Sequence, residues 1–215
     1  MEIMYRRLIM LVGLLSVLVV GAAQATPSYD PFGPQFNVPV STILSGGWTQ
    51  CYAATFDVFI GYSGENVLNQ CHGDKLMMAG RATGSGLILL LAEADFADVT
   101  FNTGTGTSNT HTANGTNWYY APDWSWGFVS APQAVSLSQC DVLPGADRLC
   151  LHTVNDAGGY RIGDLTGLNS SPNYEKLFFV ANSSPVPEPS ATLLLAMSLV
   201  GLLVGYSWRK QLQGS

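Results

Sequence analysis

The chain is short and acidic: its 215 residues include 15 acidic and nine basic side chains, for a net charge of −6. Between residues 26 and 184 there are 13 acidic and five basic residues, so this part of the chain has a net charge of −8. Nucleic acid and anionic membrane surfaces are therefore excluded as favoured partners, since both are negatively charged. The length leaves room for about one domain between two hydrophobic ends.

The N-terminus has the layout of a secretory signal peptide. Two arginines precede an apolar run from Leu8 to Val20, and the small-residue site Ala23-Gln24-Ala25 follows. This order predicts cleavage after Ala25 and export of the chain. An uncleaved anchor helix is the alternative, but the apolar run is short for a membrane span. We therefore predict a signal peptide over residues 1–25 and an exported domain over residues 26–184.

The exported part is predicted to be a β domain that begins with a proline-rich, irregular lead-in over residues 26–39. Period-two alternation predicts half-buried strands at Phe56–Tyr62, at Val99 and Phe101, and at Leu149 and Leu151. Short apolar runs predict core strands at Leu76–Ala79, Leu87–Ala92 and Leu177–Val180. No long helical period occurs in this part of the chain. The pattern therefore favours a mainly β fold, an antiparallel β sandwich or a compact barrel.

Four cysteines lie in the exported part, at Cys51, Cys71, Cys140 and Cys150. An even number of cysteines in an exported chain indicates disulfides, although four cysteines allow three connectivities. Proximity in the sequence favours Cys51 with Cys71 and Cys140 with Cys150. Zinc is the weaker alternative, because no CxxC spacing is present and His72 has no partner at a recognisable interval. We predict no metal and no cofactor.

An aromatic-rich segment, NWYYAPDWSWGF at residues 117–128, provides the most specific binding hypothesis. Aromatic faces stack on sugar rings, and a carboxylate accepts hydrogen bonds from hydroxyl groups. In this carbohydrate-binding alternative, Trp124 and Trp126 share one face of a strand. The interpretation that we favour is that the aromatic rings line the core and pack against the disulfides. The candidate glycan-binding residues are Trp118, Tyr120, Asp123, Trp124 and Trp126.

The polar loop over residues 102–117 raises the question of a calcium site. Asp95 and Asp98 lie just before it, and calcium prefers oxygen ligands of this kind. No calcium-binding repeat is present, so solvated acids at strand ends are favoured instead. Within the loop, the dipeptide Asn114-Gly115 predicts a tight hairpin turn.

A secreted hydrolase is a further alternative, but no motif establishes a reaction. The sequence lacks GxSxG and HExxH, and nothing joins a histidine to a nucleophile among His72, His111 and His152. No spacing places two carboxylates across a cleft among the glutamates Glu65, Glu93 and Glu175. Arg161 and Asp164 are expected to form a local surface ion pair, which contributes little to stability. We therefore predict no enzymatic activity.

The C-terminal segment over residues 185–215 contains VPEPSATLLLAMSLVGLLVGYSWRK. The uncharged stretch from Ser190 to Trp208 is long enough, at ~1.5 Å per residue, to cross a bilayer core of about 30 Å as a helix. Two basic residues follow it and are expected to stay on the cytoplasmic side. The prolines keep the preceding linker extended. The motif before the span consists of Val186, Pro187, Glu188 and Pro189.

In this order, the motif, the span and the basic end resemble the PEP-CTERM sorting signal of Gram-negative bacteria. The resemblance implies recognition and cleavage by a membrane-embedded exosortase, in bacteria that make exopolysaccharide. The chain departs from many relatives in closing the span with two basic residues rather than an arginine-rich cluster. The implied partners are the exosortase, the membrane through the C-terminal helix, and exopolysaccharide. The implied location is the periplasmic side of the inner membrane before processing, and then the cell surface or the exterior.

The exported part also resembles a group of exported bacterial domains that often accompany this tail. The likeness lies in CHGDKLMMAGRATGSGLILLLAEA (71–94), ANGTNWYYAPDWSWGF (113–128), RLCLHT (148–153) and GGYRIGDLTGLNSSPNYEKLFF (158–179). This resemblance implies no known activity. We therefore expect a structural or adhesive protein of the cell surface or the biofilm matrix.

Overall fold

The computed structural model describes residues 27–106, 109–135, 140, 143–154 and 158–182. These residues fall within one of the two structural units of the chain, Ala25–Ser183. The predicted signal peptide, the PEP-CTERM motif and the predicted membrane span lie outside the described residues. Within the described ranges, no helix is both long and apolar enough to cross a membrane.

The described residues form ten strands, three short α-helices and one 3-10 turn at Tyr62–Gly64. The helices are α1 (Val40–Ser45), α2 (Glu65–Leu68) and α3 (Phe96–Val99). In chain order the strands are β1 (Gln35–Pro39), β2 (Thr49–Thr55), β3 (Lys75–Ala82), β4 (Leu87–Asp95), β5 (His111–Ala113), β6 (Thr116–Ala121), β7 (Ser125–Ser130), β8 (Leu149–His152), β9 (Arg161–Ile162) and β10 (Tyr174–Ala181).

The strands make two five-stranded antiparallel sheets. Sheet A has the order β1-β4-β3-β10-β2, and sheet B has the order β5-β6-β7-β8-β9. Their inner faces share one buried hydrophobic cluster, to which sheet A gives Leu76, Met78, Leu90 and Phe178, and sheet B gives Trp118, Trp126, Phe128 and Leu151. The prediction of a mainly β fold is therefore confirmed. Of the two architectures predicted, the described residues form the sandwich, because each sheet keeps its own two edge strands.

The close approach of the sheets depends on Gly80 of β3. A Cβ atom at this position would lie 2.6 Å from a carbon of the Ile162 side chain on β9. Ile162 is buried in the shared cluster. A side chain at position 80 would therefore separate the sheets or displace Ile162.

The strand predicted over Phe56–Tyr62 is wrong. Strand β2 ends at Thr55, and the chain then turns around the Lys176 side chain of β10, whose Nζ donates hydrogen bonds to the carbonyl oxygens of Thr55 (2.7 Å) and Val58 (2.5 Å). Phe56 and Ile60 are both fully buried. The apolar spacing that suggested a strand therefore reflects two separate anchors of a folded turn.

Two further predictions about local structure are corrected. Val99 ends helix α3 and is buried, whereas Phe101 lies beyond the helix and is exposed, so these two residues do not form a strand. The lead-in predicted to be irregular over residues 26–39 contains β1, which pairs with β4 through Phe36 and Leu90 among others. Backbone pairing with a long neighbouring strand outweighs the local effect of the prolines.

The hairpin predicted at Asn114-Gly115 is confirmed. It joins β5 to β6, and both residues have positive φ, 47° and 69°. Asparagine and glycine adopt this left-handed conformation more readily than other residues, and tight hairpin turns require it.

The outer face of each sheet is also covered. Cover A consists of residues 27–34 and helix α1, and it lies on Met77, Leu91 and Phe179 of sheet A. Cover B is the described part of the connection between β7 and β8, residues 131–135, 140 and 143–148. Its Val135 and Cys140 pack with Tyr119 and Val129 of sheet B.

Candidate functional site

Most of the predicted glycan-binding residues lie in the core. Trp118, Tyr120 and Trp126 are between 0% and 7% exposed. Their polar atoms are also satisfied inside the protein: Trp126 Nε1 donates to the Val99 carbonyl at 2.9 Å, and the Tyr120 hydroxyl donates to the Ser63 carbonyl at 2.8 Å. These rings cannot present a face to a sugar, so the favoured interpretation of the aromatic segment as core is confirmed for them.

Trp124 and Asp123 lie in a different environment. Strand β7 begins at Ser125, so Trp124 belongs to the turn before the strand and does not share a strand face with Trp126, contrary to prediction. Trp124 is 45% exposed and Asp123 is also exposed.

The surroundings of Trp124 define a small surface that we call the aromatic tip, consisting of Trp124 and Tyr62. Tyr62 is 62% exposed. Thr153 connects the two segments, because its backbone N–H donates to the Trp124 carbonyl at 3.2 Å and its own carbonyl accepts from the Ser63 N–H at 3.1 Å. The Thr153 hydroxyl also accepts from the Trp124 N–H at 3.1 Å.

Both disulfides that proximity favoured are formed. Cys51 pairs with Cys71 across 20 positions, and Cys140 pairs with Cys150 across 10 positions. The first bond borders the core between the sheets, and the second ties cover B to strand β8. No free cysteine occurs in the described part of the chain.

The residues considered for calcium contribute to a different contact. Asp98 Oδ1 lies 2.7 Å from His111 Nε2, and the His111 ring stacks on Phe101 with 4.4 Å between ring centroids. Asp95 is exposed at the start of α3. Over the described ranges, no three His, Cys, Asp or Glu side chains are grouped closely enough to hold a metal ion. Among the same residues, no serine or threonine hydroxyl is hydrogen-bonded to His111.

The other residues considered for chemistry are dispersed. His72 and Glu65 are on the surface, His152 is half-buried at the end of β8, and Glu175 forms an ion pair with Arg81.

Arg161 is buried rather than on the surface, and its guanidinium donates to the carbonyl oxygens of Gly163 (2.8 Å), Leu143 (2.7 Å) and Cys140 (3.3 Å). Asp164 is exposed. Arg161 therefore anchors cover B.

A polar cluster among the described residues includes Asp30, Lys75 and Asn114, none of which was predicted as a site residue. We call Asp30, Lys75, Glu93 and Asn114 the clasp. Lys75 Nζ lies 2.5 Å from Asp30 Oδ1 and 3.4 Å from Glu93 Oε2. Asn114 Nδ2 donates to Glu93 Oε1 at 2.6 Å. The clasp therefore links cover A, two strands of sheet A and the β5–β6 turn of sheet B.

Burial differs among the three ionisable groups of the clasp. The side chain of Glu93 is 0% exposed, that of Lys75 is 17% exposed and that of Asp30 is 52% exposed. Tyr29 lies beside them, and its buried hydroxyl has no hydrogen-bond partner within the described residues. The cluster is therefore closed toward sheet A and open to solvent on the Asp30 side.

The electrostatics of the clasp follow from this burial. Loss of hydration raises the pKa of Glu93 to about 7; the Lys75 charge opposes the shift, whereas Asp30 adds to it. Burial also opposes ionisation of Asp30, but hydrogen bonds with Lys75 and Glu93 outweigh it and lower the pKa of Asp30. Burial favours the neutral amine of Lys75, but its hydrogen bond to Asp30 and the nearby carboxyl charges raise its pKa. Below pH about 7, the clasp thus contains an ammonium, a carboxylate and a protonated Glu93.

One local signal in the sequence indicates the buried carboxyl. Glu93 stands in the apolar run LILLLAEA, and a charged residue within such a run requires a partner when the strand is buried. The partners could not be identified in the same way. Lys75 and Glu93 meet because β3 pairs with β4 through Met77 and Glu93, and Asp30 arrives from a lead-in without a strong pattern.

Lys176 of β10 is another buried ionisable group. Its Nζ lies 5.3 Å from the centre of the Phe56 ring and binds the two carbonyl oxygens of the turn after β2. Burial lowers the pKa of Lys176 to about 7, and the charge of Asp57 opposes this shift. Within the described residues no carboxyl oxygen is hydrogen-bonded to Nζ. Lys176 fixes the turn after β2 through its hydrogen bonds to the two carbonyl oxygens.

Comparisons of the chain with protein-family models, with curated proteins and with solved structures find no match. The function is therefore inferred from the sequence and from the contacts described above.

Proposed function

We propose that this protein is exported and acts as a structural or adhesive component of the cell surface or the extracellular matrix. An N-terminal signal peptide delivers it across the inner membrane, and a C-terminal PEP-CTERM segment directs it to an exosortase. The processed protein then associates with the exopolysaccharide matrix.

The observation that carries the proposal is the pairing of all four cysteines in two disulfides. Disulfides persist in oxidising compartments and are rare in the bacterial cytoplasm. The sequence supports the same location, because a signal-like segment precedes the disulfide-bonded domain and an uncharged, span-length segment follows it. The polar clusters described above fix covers to sheets, which suits a structural role.

The test is cell fractionation followed by intact mass measurement of the full chain in a host that carries an exosortase. We expect two disulfides, an N-terminus at Thr26 and loss of the C-terminal span from the surface-associated form. A variant with alanine at Pro187, Glu188 and Pro189 should remain in the membrane with its tail. Pro185→Ala is the matched control, because it lies outside the motif and should be processed normally. Recovery of the full chain from the cytoplasm with four free thiols would refute the proposal.

A second, carbohydrate-binding function is supported by the aromatic tip. Trp124 and Tyr62 are exposed aromatic residues on neighbouring segments, and Asp123, which precedes Trp124 in the chain, supplies an exposed carboxylate. An aromatic face next to a hydrogen-bond acceptor is the arrangement that sugar rings favour. The tip replaces the larger aromatic row predicted from the sequence, most of which is buried.

Binding to a glycan array and to exopolysaccharide from the producing organism tests this second function. Trp124→Ala and Tyr62→Ala should each weaken binding at least tenfold. Phe101→Ala should leave binding unchanged, because Phe101 is an exposed aromatic residue that stacks on His111 and not on the tip. An array with no signal at high protein concentration would exclude carbohydrate binding by the tip.

A further inference from the structure

Direct formation of an amide between two side chains requires an amine, a carboxyl group that the amine can attack, and a second carboxyl group that can transfer protons. The clasp contains all three groups. Lys75 Nζ contacts Asp30 at 2.5 Å and Glu93 at 3.4 Å. We propose that Lys75 and Asp30 form an intramolecular amide crosslink, with Glu93 as the catalytic acid–base residue. This inference is independent of the proposed cell-surface function.

The backbone holds Asp30 in place for this reaction. The carbonyl oxygen of Tyr29 accepts a hydrogen bond from Trp48 Nε1 at 2.6 Å, and that of Pro31 accepts one from Asn114 Nδ2 at 2.9 Å. Both neighbours of Asp30 are therefore fixed. Holding two reactants in contact gives effective concentrations of about 10⁵ to 10⁸ M in well-oriented cases, and this can favour an amide that would not form between free molecules in water.

The protons required for the reaction are already present in the cluster. The attacking amine must be neutral, and the carboxyl under attack must carry a proton. Transfer of one proton from the Lys75 ammonium to the Asp30 carboxylate produces both forms without exchange with solvent. Burial alone favours the neutral pair, but the hydrogen bond and the attraction between the two charges outweigh it, lowering the pKa of Asp30 and raising that of Lys75. The proton transfer is therefore an uphill step that precedes the attack.

Glu93 is suited to the proton transfers. The nitrogen lone pair of Lys75 attacks Cγ of Asp30 and forms the new C–N bond. Glu93 gives its proton to the departing Asp30 hydroxyl as the C–O bond breaks, and its other oxygen accepts a proton from the nitrogen. The products are one amide, one water and a Glu93 that is protonated again, so no oxidant or other reactant is needed. The water leaves through the exposed side of Asp30.

The crosslink would change the mechanics of cover A. It would join the lead-in to strand β3 and close a loop that spans 45 positions. Closing a loop restricts the unfolded chain and so favours the folded state. The N-terminal segment could then not peel away from sheet A without breaking a covalent bond.

The experiment is a peptide map of the purified protein after reduction, alkylation and denaturation, and it does not require that the protein has been exported. A protease that cleaves after glutamate separates the fragment that ends at Glu65, which contains Asp30, from fragment 66–93, which contains Lys75. Reduction is essential because the Cys51–Cys71 disulfide also joins these fragments. We expect the two fragments to remain linked, at a mass about 18 Da below their sum, since one water is lost. Trypsin should also fail to cleave after Lys75.

Three variants assign the roles. Lys75→Arg keeps the positive charge but removes the amine, so the fragments should separate. Asp30→Asn should still link, with a loss of about 17 Da because ammonia leaves instead of water. Glu93→Gln keeps the shape of the side chain but not its acid–base chemistry, so the linked fraction after a fixed time should fall at least tenfold. Because this variant is not cleaved after position 93, Lys75 is then found in fragment 66–175.

Arg81→Lys is the matched control. It places a lysine beside Glu175, in an ion pair to which no second carboxyl is hydrogen-bonded within the described residues. No linked species should form there. Separate, unmodified fragments from the wild-type chain would overturn the proposal. Equal linking in Glu93→Gln would overturn the role of Glu93, and a link to Asn114 with loss of ammonia would overturn the assignment to Asp30.

Discussion

The two covers solve the same physical problem in different ways. Each lies on the outer face of a sheet and buries apolar side chains that the sandwich core does not reach. Cover B is tied to its sheet by the Cys140–Cys150 disulfide and by buried Arg161 of β9, which binds the carbonyl oxygens of Cys140 and Leu143. Within the cover, Arg148 binds the carbonyl oxygen of Ala134 at 2.7 Å. Cover A contains no cysteine and is held by the clasp.

This difference predicts that the attachment of each cover responds to a different change in solution conditions. A disulfide responds to reductants, whereas arginine retains its charge over the whole accessible pH range. The clasp contains a buried carboxyl whose pKa is about 7, so its strength depends on pH instead. Cover A should therefore loosen with rising pH and cover B with reduction. Each of the following predictions tests one side of this comparison.

The largest effect is expected from the titration of Glu93. The pKa of Glu93 is raised from 4.5 to about 7 by burial, so the folded protein holds this proton more tightly than the unfolded chain. The stabilisation is complete below pH 4.5 and is lost as the pH rises through about 7. A shift of this size corresponds to about 3 kcal/mol. Urea unfolding of the wild type at several pH values should show this decline, and Glu93→Gln should flatten it.

The direction of this pH effect does not depend on the crosslink. If Lys75 and Asp30 are joined, their charges disappear together, and burial still raises the pKa of Glu93. Lys176, whose pKa is lowered to about 7, gains its proton more readily in the unfolded chain, so its contribution rises from pH about 7 toward 10.5. The two windows therefore do not overlap. Parallel pH profiles for wild type and Glu93→Gln would contradict the assignment to Glu93.

The next effect is expected from the disulfide of cover B. Replacing Cys140 and Cys150 by alanine opens a loop of 10 positions, which should lower the free energy of unfolding by about 2.5 kcal/mol. Hydrogen exchange should accelerate in residues 131–135 and 143–148 and remain unchanged in residues 29–34. The double replacement of Cys51 and Cys71 is the matched control, because it leaves cover B attached. Equal acceleration in both covers would show that they open together.

A smaller effect is expected from Asn114→Gly. Glycine keeps the positive φ of the turn but removes the hydrogen bonds to Glu93 and Pro31, so stability should fall by about 1 to 2 kcal/mol. Exchange should accelerate in residues 29–34. Asn37→Gly is matched to it: Asn37 also has positive φ, 53°, and its side chain makes no hydrogen bond within the described residues. If both variants lose the same stability, the turn conformation and not the clasp is responsible.

The sequence was informative where a pattern is local. Apolar runs located β3, β4 and β10, the dipeptide Asn114-Gly115 located a turn, and cysteine spacing indicated both disulfides. These features depend on residues that are close in the chain. The mainly β class followed from the same local patterns.

The sequence was misleading where contacts between residues far apart in the chain determine the local structure. The apolar spacing of Phe56 and Ile60 imitated a strand, because the Lys176 side chain that bends the turn comes from the far end of the chain. Trp118, Tyr120 and Trp126 had the composition of a ligand platform, but the pairing of β6 with β7 turns all three toward sheet A. The clasp joins four segments, and no local pattern relates Asp30 to Glu93.

The smallest effect is expected from Gln133→Ala in cover B. The Gln133 side chain donates to Asp147 at 2.9 Å in an exposed position, and exposed hydrogen bonds exchange readily with water. The backbone carbonyl of Gln133, which accepts from Asn117 at 2.6 Å, is retained in the variant. Unfolding free energy should therefore change by less than about 0.5 kcal/mol. A loss near 2 kcal/mol would mean that an exposed contact within cover B matters about as much as the disulfide that ties the cover to sheet B, and the contrast between the two covers would then weaken.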